Sequence, residues 1–205
     1  SEAAFIYHEE TCGDLRTTLA AQLDAPYIFG WGAECGEYDF VVGASEGGAS
    51  VIASDFSQNL SVLSRVEGVS TTGNQHAPAT LETEDDVHYV AFLMSDGDNI
   101  QFIQNAFDHT RWWGSPHRGT FPMTWEMSSV LATAAPTMLR WVYDSASPLD
   151  QMVSAPSGDG YFLPSKHPNT QALAERTASV MADTDMRVVV VLDAEGDLSS
   201  CDAFT

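Results

Sequence analysis

Val90-Ala91-Phe92-Leu93-Met94-Ser95-Asp96 and, near the far end of the chain, Val188-Val189-Val190-Val191-Leu192-Asp193 decide the reading of the fold. Each is a near-continuous apolar run that ends in a carboxylate. Strands covered on both faces read this way, because neither face meets water. Similar β-rich runs lie at 5–8, 27–30, 50–55, 120–126 and 151–154. Helix-like stretches separate many of them. Leu15, Leu19 and Leu23 step by four within 14–23, and the stretch 99–113 follows the fourth run. Met138, Leu139, Val142 and Tyr143 share a face within 129–146, where Pro136 marks a helix start or kink. Asn169 is placed to cap a helix over 168–181. Strand, loop, helix, strand is the rhythm of a parallel α/β protein. The expectation is an α/β fold of (β/α) TIM-barrel type, incomplete or trimmed, because 205 residues fall short of the roughly 250 usual for that barrel. A doubly wound open sheet is the alternative. One domain is expected over 1–205, as part of a longer protein. The segment 67–86 reads as a loop with an acidic cluster at Glu82, Glu84, Asp85 and Asp86.

Eight basic residues face 29 acidic ones, a formal net charge of −21. Such a chain repels nucleic acid and anionic lipid, which excludes binders driven by counterion release and docking on acidic membranes. Lys166 is the sole lysine, and the other seven basic residues are Arg. Carboxylates of this density keep a surface hydrated in concentrated salt, so a halophilic setting is expected, with a generally acidic secreted protein as the alternative. At 44% hydrophobic and 10% aromatic, the sequence can bury a core. No apolar run approaches the roughly 18 residues of a membrane span. The opening SEAAFIYHEE lacks the positive start and apolar centre of a signal peptide, so the signal of an exported protein would lie outside this chain. Cys12, Cys35 and Cys201 match no zinc spacing. Cys12 with Cys35 is the natural disulfide in an exported protein; buried free thiols are the other reading. His109 and His117 lack the i, i+4 spacing of a zinc helix.

In parallel α/β folds the chemistry sits at the C-terminal ends of strands. Those ends carry Trp31 and Glu34, Asp55 and Asn59, Asp96, Asp98 and Asn99, Trp125 and Glu126, Tyr161, and Asp193 with Glu195. Carboxylates for proton transfer, amides for hydroxyls and aromatic rings for pyranose faces together describe a carbohydrate site. Ser95-Asp96-Gly97-Asp98-Asn99 is the sharpest feature. Its acids suit general acid, base or nucleophile work, or a hard cation such as Ca²⁺, or helix capping. Trp112-Trp113 offers a stacking platform or a helix-end core contact. Gly43-Ala44-Ser45-Glu46-Gly47 spells the G-x-S-x-G of serine hydrolases. That motif needs a strand before it and a helix after it, and here the order is reversed. Gly158-Asp159-Gly160-Tyr161 lacks the Gly-Lys-Ser/Thr of a phosphate loop.

Three stretches, YVAFLMSDGDNIQF (89–102), RGTFPMTWEMSSVLATAAPTMLRWVYDSASPLDQMV (118–153) and APSGDGYFLP (155–164), resemble the GxGYxYP putative glycoside hydrolase family. Gly158, Gly160, Tyr161 and Pro164 match the name-giving motif, with Leu163 in place of its second tyrosine. The segment 27–64 resembles the part that precedes the SDGDN strand, so the likeness covers roughly 27–193. The resemblance implies a TIM-barrel-like domain of an extracellular or cell-envelope protein tied to polysaccharide use, in chains usually longer than this one. It puts 43–47 on a helix end, against the serine motif, and it lowers Glu126 as a catalytic candidate.

The combined expectation is hydrolysis of a glycosidic bond in a polysaccharide or oligosaccharide. Asp96 and Asp98 are the central carboxylates, with Asp55 or Asp193 as a partner from another strand. Asn59, Asn99 and Tyr161 would position the sugar, and Trp31 or Trp113 would stack on it. No cofactor is expected beyond a Ca²⁺ ion on Asp96 and Asp98. A non-catalytic glycan-binding domain and an esterase using Ser45 are the rival readings.

Overall fold

A computed structural model describes residues 4–6, 14–32, 36–75, 84–194 and 199–204. Six short strands alternate with helices: β1 (Ala4–Ile6), α1 (Asp14–Ala20), β2 (Tyr27–Phe29), α2 (Glu37–Glu46), β3 (Ser50–Ile52), α3 (Leu60–Leu63), β4 (Leu93–Met94), α4 (Ile100–Asn105), β5 (Met123–Met127), α5 (Leu131–Ala134), α6 (Pro136–Ser145), β6 (Asp150–Ser154) and α7 (Thr170–Asp183). The strands make two three-stranded sheets, ordered β1-β2-β3 and β4-β5-β6. All pairings are parallel, with Ile28 beside Phe5 and Val51 in the first sheet and Trp125 beside Met94 and Met152 in the second.

This α/β alternation is not a TIM barrel. No ladder joins β3 to β4 or closes a ring among the described residues. The reason lies in the run at 87–96. Only Leu93 and Met94 pair, and they pair on one side, with β5. Val87, Tyr89, Val90 and Phe92 are exposed rather than covered. The 188–193 run likewise reaches β6 through a single bridge, Ser154 to Val189. A continuous apolar run reports the wish to be buried, not the pairing that would bury it. Glu34, Glu195, Cys12 and Cys35 lie outside the described residues, as does the Cys201 side chain.

Helix boundaries follow local chemistry. Asn169 caps α7, its Oδ1 accepting the Ala172 N–H at 3.1 Å. Pro136 sits in the first turn of α6, where its missing N–H costs nothing, and so divides the expected 129–146 helix into α5 and α6. Two clusters form the core. One packs β2, β3 and α2 through Ile28, Phe40, Val41 and Val51. The other packs β5 and β6 against α4 to α6 through Phe107, Trp125, Met127, Leu139 and Met152. Trp113 belongs to that second core. It is 3% exposed, stacks on Phe107 at 5.2 Å between ring centroids, and donates its Nε1–H to Ser145 Oγ at 2.9 Å. It is therefore not a surface platform for sugar.

Asp150, the first residue of β6, ties this core to the loop after α4. Its buried carboxylate accepts from Arg118 Nη1 at 2.6 Å, Trp125 Nε1 at 2.9 Å and the Ser147 N–H at 2.8 Å. Arg118 also lies 4.1 Å over the Trp113 ring. Burial alone would raise the Asp150 pKa, but the donors from Ser147, Trp125 and Arg118 outweigh it and hold the group below the ordinary carboxylate range. Its contribution to stability is thus present above the unfolded-state pKa and lost as pH falls through the lower folded value. Replacing Asp150 with Ala leaves the Trp125 N–H without its acceptor and Arg118 without its counter-charge, held only by the Trp113 and Ser145 carbonyls, and urea unfolding at neutral pH is expected to show a loss of about 3–5 kcal/mol.

Candidate functional site

A cleft of about 450 Å³ opens where the chain leaves β2, β3, β4, β5 and β6 at their C-terminal ends. The strand-end rule thus operates here without a closed barrel. One wall is made by the 95–99 turn. Asp96 holds a left-handed backbone (φ 76°), and Gly97 then passes so close to β5 that an added Cβ would lie 1.9 Å from the Glu126 carbonyl oxygen. Only glycine allows this approach. The Ser128 N–H donates to the Gly97 carbonyl at 2.8 Å and fixes the turn on the strand end. In return the Asp96 N–H donates to Glu126 Oε2 at 3.1 Å. Asn99 closes the turn by capping α4, accepting the Phe102 N–H at 3.0 Å. The capping role thus falls to Asn99, while both aspartates line the cleft.

A second part of the lining, Tyr161, is placed by the glycine-rich motif. Gly158 (φ 108°) and Gly160 (φ 89°) both have backbones that disfavour side chains. A Cβ on Gly158 would meet Thr177 Cγ2 at 2.2 Å, and one on Gly160 would meet Ile52 Cδ1 and Ser50 Cβ at 2.9 Å. Between them Asp159 is fully buried, accepting from the Tyr27 hydroxyl and pairing with Arg176. Tyr161 then pairs with Val51 of β3, exchanging two N–H···O bonds of 2.8 Å. Its ring stacks with Trp31 at 6.3 Å and 19°, and its hydroxyl donates to Glu37 Oε1 at 3.1 Å.

Four carboxylates, Glu37, Asp96, Asp98 and Glu126, line this one cleft, and among the described residues no basic side chain does. Burial first, then the neighbouring Asp96 charge, with smaller additions from Glu126 and Glu37, push the Asp98 pKa up to about 7; its own backbone N–H opposes this. Asp96 is raised by burial and by Glu37. Glu126, 4% exposed, is raised by burial against the opposing N–H groups of Asp96 and Gly97. Burial and the adjoining Glu37 likewise raise the Tyr161 phenol. The result is a carboxylic acid that keeps its proton near neutrality with other carboxyl groups beside it, the kind of pairing that acid–base catalysis uses.

The cleft gathers Trp31, Asp96, Asp98, Asn99 and Tyr161 from the residues expected by sequence. It does not gather four others. Asp55 is exposed on the turn after β3, and Asn59 is exposed at the start of α3. Asp193 is occupied in tethering the chain, accepting from Ser165 Oγ at 2.6 Å and the Ala194 N–H at 2.8 Å. Trp113 is in the core. Ser45 is fully buried inside α2, donating to the Val41 carbonyl at 2.8 Å and accepting the Leu163 N–H at 2.9 Å, so it presents no nucleophile. Glu126 deserves the higher rank that its strand-end position gave it. Glu37 carried no strand-end signal, because it enters from the first turn of α2. Among the described residues no group of three or more His, Cys, Asp or Glu is arranged to hold a metal ion. Nor is any described helix long and apolar enough to cross a membrane.

Two family models match the chain: the GxGYxYP putative glycoside hydrolase C-terminal domain over residues 86–203, and the GxGYxYP third domain over residues 5–65. A solved structure described as a putative hydrolase from Bacteroides thetaiotaomicron VPI-5482 is similar, at a TM-score of 0.78 and 31% identity. The likeness covers 92% of this chain and 37% of that one, so the chain spans little more than a third of that protein's length. No curated protein matches.

The raised Asp98 pKa has a consequence for stability. Between its ordinary 3.8 and about 7 the folded protein holds a proton that the unfolded chain releases, so this group lowers stability as pH rises through that window. Asp98→Asn removes the ionisation. Thermal melts are expected to show the variant more stable than wild type at about pH 8, with the gain shrinking at about pH 4.

Proposed function

The chain belongs to the GxGYxYP putative glycoside hydrolase family, and from the acids in its cleft we propose that it hydrolyses glycosidic bonds in a polysaccharide or oligosaccharide. Asp98 is the general acid. It carries its proton near pH 7 and delivers it to the glycosidic oxygen as the bond breaks. Asp96 or Glu126 is the second carboxylate, serving as nucleophile or as base for water. Trp31 and Tyr161 stack on the sugar ring, and Asn99 with the Tyr161 hydroxyl orients its hydroxyl groups. The observation that carries this reading is a half-buried acid, poised near neutrality by burial and then by an adjacent carboxylate, in a cleft lined by a stacked aromatic pair. The same aromatic pair supports a second reading, a glycan-binding domain without catalysis. The setting we propose is outside the cell or on its envelope, in concentrated salt, on the strength of the −21 charge and the family.

Hydrolysis of a panel of polysaccharides and aryl glycosides at high salt tests the catalytic reading. Asp98→Asn is expected to lower cleavage about 10²- to 10⁴-fold with the fold intact. A folded wild type inert toward the whole panel would overturn hydrolysis in favour of glycan binding. The salt reading has its own check: the melting temperature is expected to rise as KCl is added well beyond the range where a Debye length falls below about 10 Å. A flat or falling curve would end it.

A further inference from the structure

Acid–base hydrolysis needs two carboxyl groups, and the cleft holds four. Glu37 and Asp96 are exposed, like the rest of the acidic surface, but they line the same cleft as two more deeply set acids. Surface carboxylates serve hydration, whereas Glu126 is 4% exposed and Asp98 is half-buried. Buried carboxylates are ordinarily matched by a cation. Elsewhere in the molecule this holds: Asp150 is paired with Arg118, and Asp159 with Arg176. Glu126 differs. Its partners are backbone N–H groups, and among the described residues no cation reaches it. Every described residue lining the cleft is acidic, neutral or aromatic. Among the described residues, then, nothing supplies the site with a positive charge.

We infer that the cleft selects a glycan bearing free ammonium groups, a deacetylated hexosamine chain, over N-acetylated and uronic acid glycans; this rests on the proposed carbohydrate-cleaving function. An ammonium on the sugar would neutralise the excess carboxylates around Glu37 and Glu126, and it would gain from the faces of Trp31 and Tyr161. N-acetylation removes that charge. A uronate adds a negative charge to a cleft whose described lining is acidic and carries no basic residue, which is discrimination by repulsion. The volume of about 450 Å³ lies within the usual range for small-ligand sites.

Binding can be measured without turnover in the Asp98→Asn background, where Asn replaces a neutral acid and the charge of the cleft near neutrality is kept. Calorimetry at about pH 6 and constant salt would compare a glucosamine tetramer, its fully N-acetylated counterpart and a galacturonate tetramer. The glucosamine tetramer is expected to bind about tenfold more tightly than the N-acetylated one, and the galacturonate not at all. Adding Glu37→Gln should erode that preference. Adding Glu175→Gln, which removes an exposed charge from α7 far along the chain, should leave it unchanged. Equal binding of the amine and the N-acetylated tetramer would overturn the charge selectivity and leave the hydrolase reading intact. So would a preference that Glu175→Gln erodes as much as Glu37→Gln, because bulk charge would then explain it. Failure of all three tetramers to bind would overturn the inference, while the hydrolysis panel decides the carbohydrate reading beneath it.

Discussion

The contact between Gly97 and the backbone of Glu126 is the constraint on which the cleft depends. With 1.9 Å between an imagined Cβ and a carbonyl oxygen, the turn after β4 and the end of β5 are effectively one surface. That closeness is why Asp96 can donate its N–H to the Glu126 side chain, and why Asp98 feels both neighbouring charges. Separate the two segments by the width of a methyl group and the hydrogen bond from the Asp96 N–H to Glu126 is lost. The left-handed backbone of Asp96 belongs to the same constraint, since it turns the chain into that approach.

The second part of the lining depends on a different device. Asp159 sits between two glycines whose backbones turn sharply, and its carboxylate joins Tyr27 of β2 to Arg176 of α7. Arg176 reaches further, donating to the Ala25 carbonyl at 2.8 Å. A buried ion pair of this kind is costly to desolvate and adds little net stability compared with a packed apolar residue. What it supplies here is placement: the glycine turn is held so that Tyr161 pairs with Val51 and turns its ring to Trp31. The apolar cores carry the stability, and the two polar joints carry the geometry.

That division also explains what could be read from the sequence. The parallel strand rhythm and the Asn169 cap were legible because they rest on local propensity. Gly97 and the 158–161 motif were visible as glycine turns, and Asp96, Asp98 and Tyr161 as strand-end residues, because chain order alone places them there. The barrel was misread because 87–96 and 188–193 show apolar periodicity without showing their neighbours, and pairing is a tertiary property. Trp113 and Trp31 look alike in sequence; only packing against Phe107 separates a core indole from a cleft indole. Asp193 shows the same limit, since its carboxylate is consumed by Ser165, a residue 28 positions earlier. Glu37 was invisible because it approaches from a helix, outside the strand-end rule.

The cleft carries a cost that the rest of the fold must offset. Carboxylates withdrawn from water and set beside one another oppose folding, and the raised pKa values of Asp96, Asp98 and Glu126, caused first by burial and then by neighbouring charge, express that opposition. A purely structural use of these residues would have relieved the strain by an apolar substitution or an arginine, as Asp150 and Asp159 are relieved. The chain instead keeps the acids together and meets them with backbone N–H groups, which are fixed dipoles without net charge. Dipoles can hold a carboxylate in place without neutralising it. They leave both its basicity and the field it exerts on Asp98 available to a ligand, and an arginine in their place would have cancelled both.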